Sequence, residues 1–75
     1  MNGKVSVSVN CLIDRNGMEL PRIIYWNDGR EFIVERTLHT CIEENSNGEV
    51  VRYAVLICGR QRYLYREGQC WYVMT

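Results

Sequence analysis

This chain carries no net charge, a single histidine, a single proline and no long apolar run. Balanced charge excludes nucleic-acid binding through bulk positive potential and leaves only a local basic patch open. A membrane span needs roughly 18 consecutive apolar residues, and no stretch approaches that length. The opening residues, Met1-Asn2-Gly3-Lys4-Val5-Ser6-Val7-Ser8, alternate apolar and polar, unlike the apolar centre of a signal peptide. Gly3 is also misplaced for myristoylation. A cytoplasmic chain without membrane contact is expected.

No C-x-x-C knuckle occurs. Cys11, Cys41, Cys58 and Cys70 are separated by 30, 17 and 12 residues, so the usual zinc spacing is absent. Without a secretory signal, disulfides are disfavoured. Four reduced cysteines packed as small hydrophobes are expected, with no metal and no cofactor.

The lone His39 stands two residues before Cys41, and on a strand the two share a side. That spacing could seed a nucleophile–base pair. It shows none of the geometry by which a triad is recognised, so a surface histidine beside a packed cysteine is the expectation. Glu43-Glu44 lies in a polar stretch with nothing to raise a carboxyl pKa toward general-acid use. No G-x-G-x-x-G phosphate loop exists. No catalytic residue emerges, and the chain is read as a non-enzyme.

What the chain has is turns. Asn16-Gly17, Asp28-Gly29, Asn47-Gly48 and Glu67-Gly68 punctuate segments rich in Val, Ile, Tyr, Trp and Thr. That rhythm predicts consecutive β-hairpins. Residues 4–14 alternate, with Val5, Val7, Val9, Cys11 and Ile13 on one face. Pro21 cannot donate to a ladder, which places residues 18–22 at an edge or the start of a strand. Residues 23–26 continue as strand. Residues 31–42 fit both periods, but their β-branched side chains favour strand over a short helix across 35–45. Glu43 to Glu49 reads as a polar loop. Residues 50–58 are apolar on both faces and predict an interior strand. Gly59-Arg60 suits a type II′ turn into residues 61–66, and residues 70–73 close the chain.

At 75 residues a single domain over 1–75 buries only about 60–65% of its unfolded surface, so the core is thin and a large enclosed pocket is not expected. Connections this short join antiparallel neighbours only. The fold class expected is all-β: five or six short antiparallel strands in a small SH3-like barrel or strongly bent sheet. Trp26, Phe32, Tyr53 and Trp71 are the expected core anchors.

Charge is segregated along the chain. Residues 31–49 hold five glutamates against Arg36, a balance of −4, and residues 50–66 hold Arg52, Arg60, Arg62 and Arg66 without an acid, a balance of +4. Tyr63 and Tyr65 alternate with Arg62, Leu64 and Arg66. If Leu64 points inward, both tyrosines point outward, beside Ala54, Leu56 and Cys58 of the paired strand. Arg60, Arg62, Tyr63, Tyr65 and Arg66 are therefore the candidate binding residues. They fit a protein partner, a second copy of the chain, or weak single-stranded nucleic-acid binding. The competing reading is ordinary cross-strand pairing of opposite charges and aromatics.

One resemblance is carried by longer patterns. Pro21-x-x-Ile24-x-Trp26-x-x-Gly29-Arg30-x-Phe32-x-Val34, then Arg52-Tyr53-x-Val55-x-Ile57-x-Gly59-Arg60, Tyr63-Leu64 and Trp71-Tyr72-Val73, resembles a set of small bacterial all-β proteins of unknown function. It covers most of residues 12–73. It implies a compact bacterial β-protein and supplies no functional residues. Cys41, Cys58 and Cys70 lie outside its pattern.

Overall fold

A computed structural model describes residues 3–46 and 48–74. Seven strands form one antiparallel sheet: β1 (Lys4–Ile13), β2 (Glu19–Tyr25), β3 (Glu31–Ile33), β4 (Arg36–Asn45), β5 (Gly48–Ile57), β6 (Arg60–Glu67) and β7 (Cys70–Met74), in the order β3-β2-β1-β7-β6-β5-β4. The sheet curls into a half-barrel. The all-β, strongly bent sheet expected from the turn rhythm is what forms, with seven strands instead of five or six.

The extra strand arises because residues 31–45 do not stay with one neighbour. Residues 31–33 pair with β2, and residues 36–45 pair with β5. Between them the Val34 N–H donates to the Arg22 carbonyl (2.9 Å), and the Glu35 N–H donates to the Leu56 carbonyl (2.8 Å). One segment therefore bridges the two ends of the sheet. β1 is shared in the same way: residues 4–7 pair with β7 and residues 8–13 with β2.

Two bulges turn these corners. Asn10 pairs with Ile23 while Cys11 pairs with Pro21, leaving Arg22 as the extra residue whose carbonyl reaches Val34. Thr37 pairs with Val55 while His39 pairs with Ala54, leaving Leu38 as the extra residue in β4. Such insertions bend a strand and sharpen its twist. Pro21 is fully buried beside the first bulge. It pairs with Cys11 of β1 at the bulge, and β3 begins to pair with β2 only at Ile23, which places Pro21 at an edge position among the described residues.

The concave face carries the core. Ile24, Val34, Tyr53, Val55 and Leu64 are at most 3% exposed, with Val7, Val9, Phe32, Val51, Ile57, Trp71 and Val73 packed against them. β5 is interior and buried on both faces: Tyr53 and Val55 face inward, while Val50 and Ala54 are buried on the outer side. Of the four expected anchors, Tyr53 is fully buried, and Trp26, Phe32 and Trp71 are half-buried at the rims.

The hairpins bear out one reading and correct two. Residues 35–45 are strand throughout, apart from the corner at Glu35. The polar stretch 43–49 is not a loop: β4 runs to Asn45 and β5 starts at Gly48, with Glu44 opposite Glu49. Asn47 lies outside the described residues, so the Asn47-Gly48 turn is left at that. The β5–β6 turn is centred on Cys58-Gly59, not Gly59-Arg60, since Ile57 pairs with Arg60. Both residues have positive φ, +51° at Cys58 and +73° at Gly59, which is the type I′ requirement. The Gly59 N–H donates to Glu35 Oε1 (2.8 Å), so a long-range contact anchors that turn. Asn27-Asp28-Gly29 forms a three-residue hairpin loop, closed by Gly29 N–H to the Trp26 carbonyl (3.1 Å) and Trp26 N–H to the Arg30 carbonyl (2.8 Å). The Asp14–Met18 loop repeats both bonds.

Candidate functional site

Three surfaces follow from this fold: the convex face of β4–β7, the concave mouth beside β6, and the edge of β4.

On the convex face Tyr63 and Tyr65 lie outward and Leu64 is fully buried inward, as period-2 alternation requires. Tyr63 is 46% exposed. The turn at Cys58-Gly59 shifts the β5–β6 register by two residues from a Gly59-Arg60 turn. A shift of two preserves the faces and changes the neighbours. Tyr63 stands opposite Ala54 and Tyr65 opposite Arg52, not beside Leu56 and Cys58. The Arg52 guanidinium lies 5.3 Å from the Tyr63 ring centre and pairs with Glu43 at 3.3 Å. Tyr65 stacks on Tyr72 with centroids 5.1 Å apart and planes 5° from parallel. Lys4 Nζ caps Tyr72 at 4.6 Å and reaches Glu67 at 4.0 Å. This is a row of cross-strand pairs, each of which contributes a fraction of a kcal/mol to a sheet, about 0.2–1.

The candidate arginines are elsewhere. Arg62 pairs with Val55 and Arg66 with Val51, so both belong to the concave side with Leu64. Arg66 sits at one rim, 5.7 Å over Trp71, with Nη1 3.2 Å from Glu19 Oε2. Arg60 and Arg62 stand exposed at the opposite rim. Arg66 thus lies apart from the other four candidates, which come from both faces of β6 yet all line one cavity beside it. Arg52, Tyr72 and Lys4 complete the tyrosine row instead. Their signal was present in the sequence, but only the true register reveals it.

The buried Tyr53 hydroxyl adjoins the Arg66 guanidinium, and neither it nor the buried Arg66 Nε makes a hydrogen bond of good geometry. Burial pushes the Tyr53 phenol above its usual range, with the Arg66 charge acting the other way. Burial and then Glu19 push the Cys11 thiol up as well, which disfavours the thiolate that nucleophilic chemistry requires.

His39 is exposed and Cys41 half-buried, both on the convex side of β4. Among the described residues no group of three or more His, Cys, Asp or Glu side chains is placed to hold a metal, and no helix is long and apolar enough to cross a membrane. All four cysteines are free thiols. Cys11 and Cys41 are half-buried, but Cys58 and Cys70 are exposed at turns, so packing explains only the first two.

The third surface lies where the barrel stays open. β4 pairs with β5 on one side and ends the sheet order on the other. β2 pairs with β3 only from Ile23 onward, so, among the described residues, positions 19–21 have β1 alone as a strand partner. These two edges face each other across a shallow groove of about 860 Å³, lined by Leu12, Met18, Leu20, Val34, Thr37 and Thr40 among others. Leu12 (51%) and Met18 (37%) are its exposed apolar side chains, and Asp14, Arg22, Arg36 and His39 line it as well. No family model, curated protein or solved structure matches the chain.

Proposed function

We propose that this protein is a small non-enzymatic binding or assembly module that takes a protein partner by strand addition between β2 and β4. The observation that supports it is the pair of unpartnered strand edges facing one another across an apolar-flanked groove. An unpaired edge is a template for another chain. A strand inserted there would supply backbone bonds to both sides, with alternate side chains against Leu12, Leu20 and Val34. The bulge at Leu38 and the charges of Glu43 and Glu44 limit indiscriminate pairing along β4. The free thiols suit a reducing compartment, so a cytoplasmic location belongs to the same reading, as does the bacterial origin implied by the resemblance.

Single-stranded nucleic acid takes second place. Stacking successive bases needs several open ring faces; Tyr65 and Tyr72 cover each other and Lys4 caps Tyr72, which leaves Tyr63, beside Arg52, as the exposed ring of the row.

Selection from a displayed library of random ten-residue peptides tests the proposal. The expected winners alternate apolar and polar residues, and N-methylation of alternate backbone nitrogens abolishes their binding. A chain that self-associates through the same edge shows a concentration-dependent mass in sedimentation, with amide protection appearing along β4. A strict monomer at high concentration that selects no peptide, or selects peptides indifferent to N-methylation, overturns it.

A further inference from the structure

The concave mouth beside β6 holds a second cavity, which shares no lining residue with the β2–β4 groove. Its volume is about 670 Å³, within the range of small-molecule sites, about 300–1,000 Å³. Its floor is Ile24, Val55 and Leu64, each at most 3% exposed. Trp26, Phe32, Ile57 and Val73 form half-buried walls. Trp26 and Phe32 meet edge-to-face with centroids 6.1 Å apart, which makes one wall a fixed aromatic corner.

The rim carries one sign of charge. Arg60 and Arg62 both line the cavity and both spring from the concave side of β6, opposite Ile57 and Val55. Neither makes an ion pair among the described residues, and no aspartate or glutamate lines the cavity. The third nearby guanidinium is already committed: Arg30 Nε binds Asp28 Oδ2 at 2.7 Å while its carbon lies 5.9 Å from Trp26 and 5.7 Å from Phe32. An apolar floor beneath two uncommitted guanidinium groups is complementary to one kind of ligand. Its apolar body would fill the cavity and its anionic end would lie at the rim, where arginine binds carboxylate through paired N–H donors.

We infer that this mouth is a binding site for a small carboxylate-bearing amphiphile of the fatty-acid class. The apolar walls supply affinity through buried area, and the two arginines select the charged head over a neutral or cationic one.

Decanoate, decanol and decylamine, each below its aggregation concentration, serve as probes. The indole N–H resonances of the two tryptophans report binding, because Trp26 lines the cavity and Trp71 does not. Decanoate is expected to shift Trp26 and leave Trp71 in place. It should bind about tenfold more tightly than decanol, a contact with charged groups discounted for their exposure. The Arg60→Ala/Arg62→Ala double variant loses that tenfold advantage and keeps decanol binding unchanged. Both arginines are exposed and unpaired, so the fold does not depend on them. Equal affinity for all three probes, an unchanged decanoate affinity in the double variant, or no movement of Trp26 overturns the inference.

Discussion

Val34 and Glu35, adjacent in the chain, donate their backbone N–H groups to strands on opposite sides, Val34 to Arg22 of β2 and Glu35 to Leu56 of β5. That single peptide step ties β2 to β5 and holds the sheet in its curl. Glu35 adds a second tie, since its carboxylate accepts the Gly59 N–H at 2.8 Å. Replacing Glu35 by Ala removes that acceptor and is expected to cost about 1 kcal/mol. Glu35→Gln keeps an acceptor and most of that stability. Urea denaturation of the two variants checks the difference.

The Tyr53 hydroxyl is buried against the Arg66 guanidinium without a hydrogen bond of good geometry. Leaving a buried polar group unpaired costs roughly 1–3 kcal/mol. Tyr53→Phe keeps the ring against Trp71, whose centroid is 5.3 Å away, and is expected to be neutral or stabilising by about 1 kcal/mol at neutral pH.

The same residue sets a pH dependence. Tyr53 holds its proton longer in the folded protein than in the unfolded chain, because burial raises its pKa from the ordinary 10.0. Its contribution is intact below about pH 10. Above that the unfolded chain ionises first, and stability falls as pH rises toward the raised folded value. The denaturation midpoint is expected to drop as pH rises above about 10 in the native sequence and to drop less in Tyr53→Phe. Equal slopes in the two proteins would refute the assignment.

Cys58 occupies a left-handed conformation at φ +51°, which costs a residue other than Gly or Asn about 1–2 kcal/mol. Cys58→Asn is expected to stabilise by several tenths of a kcal/mol, roughly 0.5. Gly59→Ala should destabilise by about 1 kcal/mol, and the cost is purely conformational because an added Cβ would meet nothing within 4 Å. Thermal melts of the two variants, moving in opposite directions, check this.

The covered rings of Tyr65 and Tyr72 on the convex side predict a negative result. Tyrosine fluorescence titrated with oligothymidylate at low salt is expected to show no saturable quenching, with Tyr63→Ala indistinguishable from the native chain. Saturable, salt-sensitive binding lost in Tyr63→Ala would restore the nucleic-acid reading.

Strand identity, most hairpins and the opposition of Leu64 to Tyr63 and Tyr65 were legible in the sequence. Those features depend on turn residues and period-2 alternation, which act over a few neighbouring residues. Only the tertiary structure decided the pairing of β1 with β7, the split of residues 31–45 between two neighbours, and the bulges at Arg22 and Leu38. It also decided the β5–β6 register, in which the Glu35 carboxylate holds a turn 24 residues away. These are consequences of curling the sheet into a half-barrel. The curl sets which backbone edges remain open and which arginines share a mouth, and no local pattern encodes either.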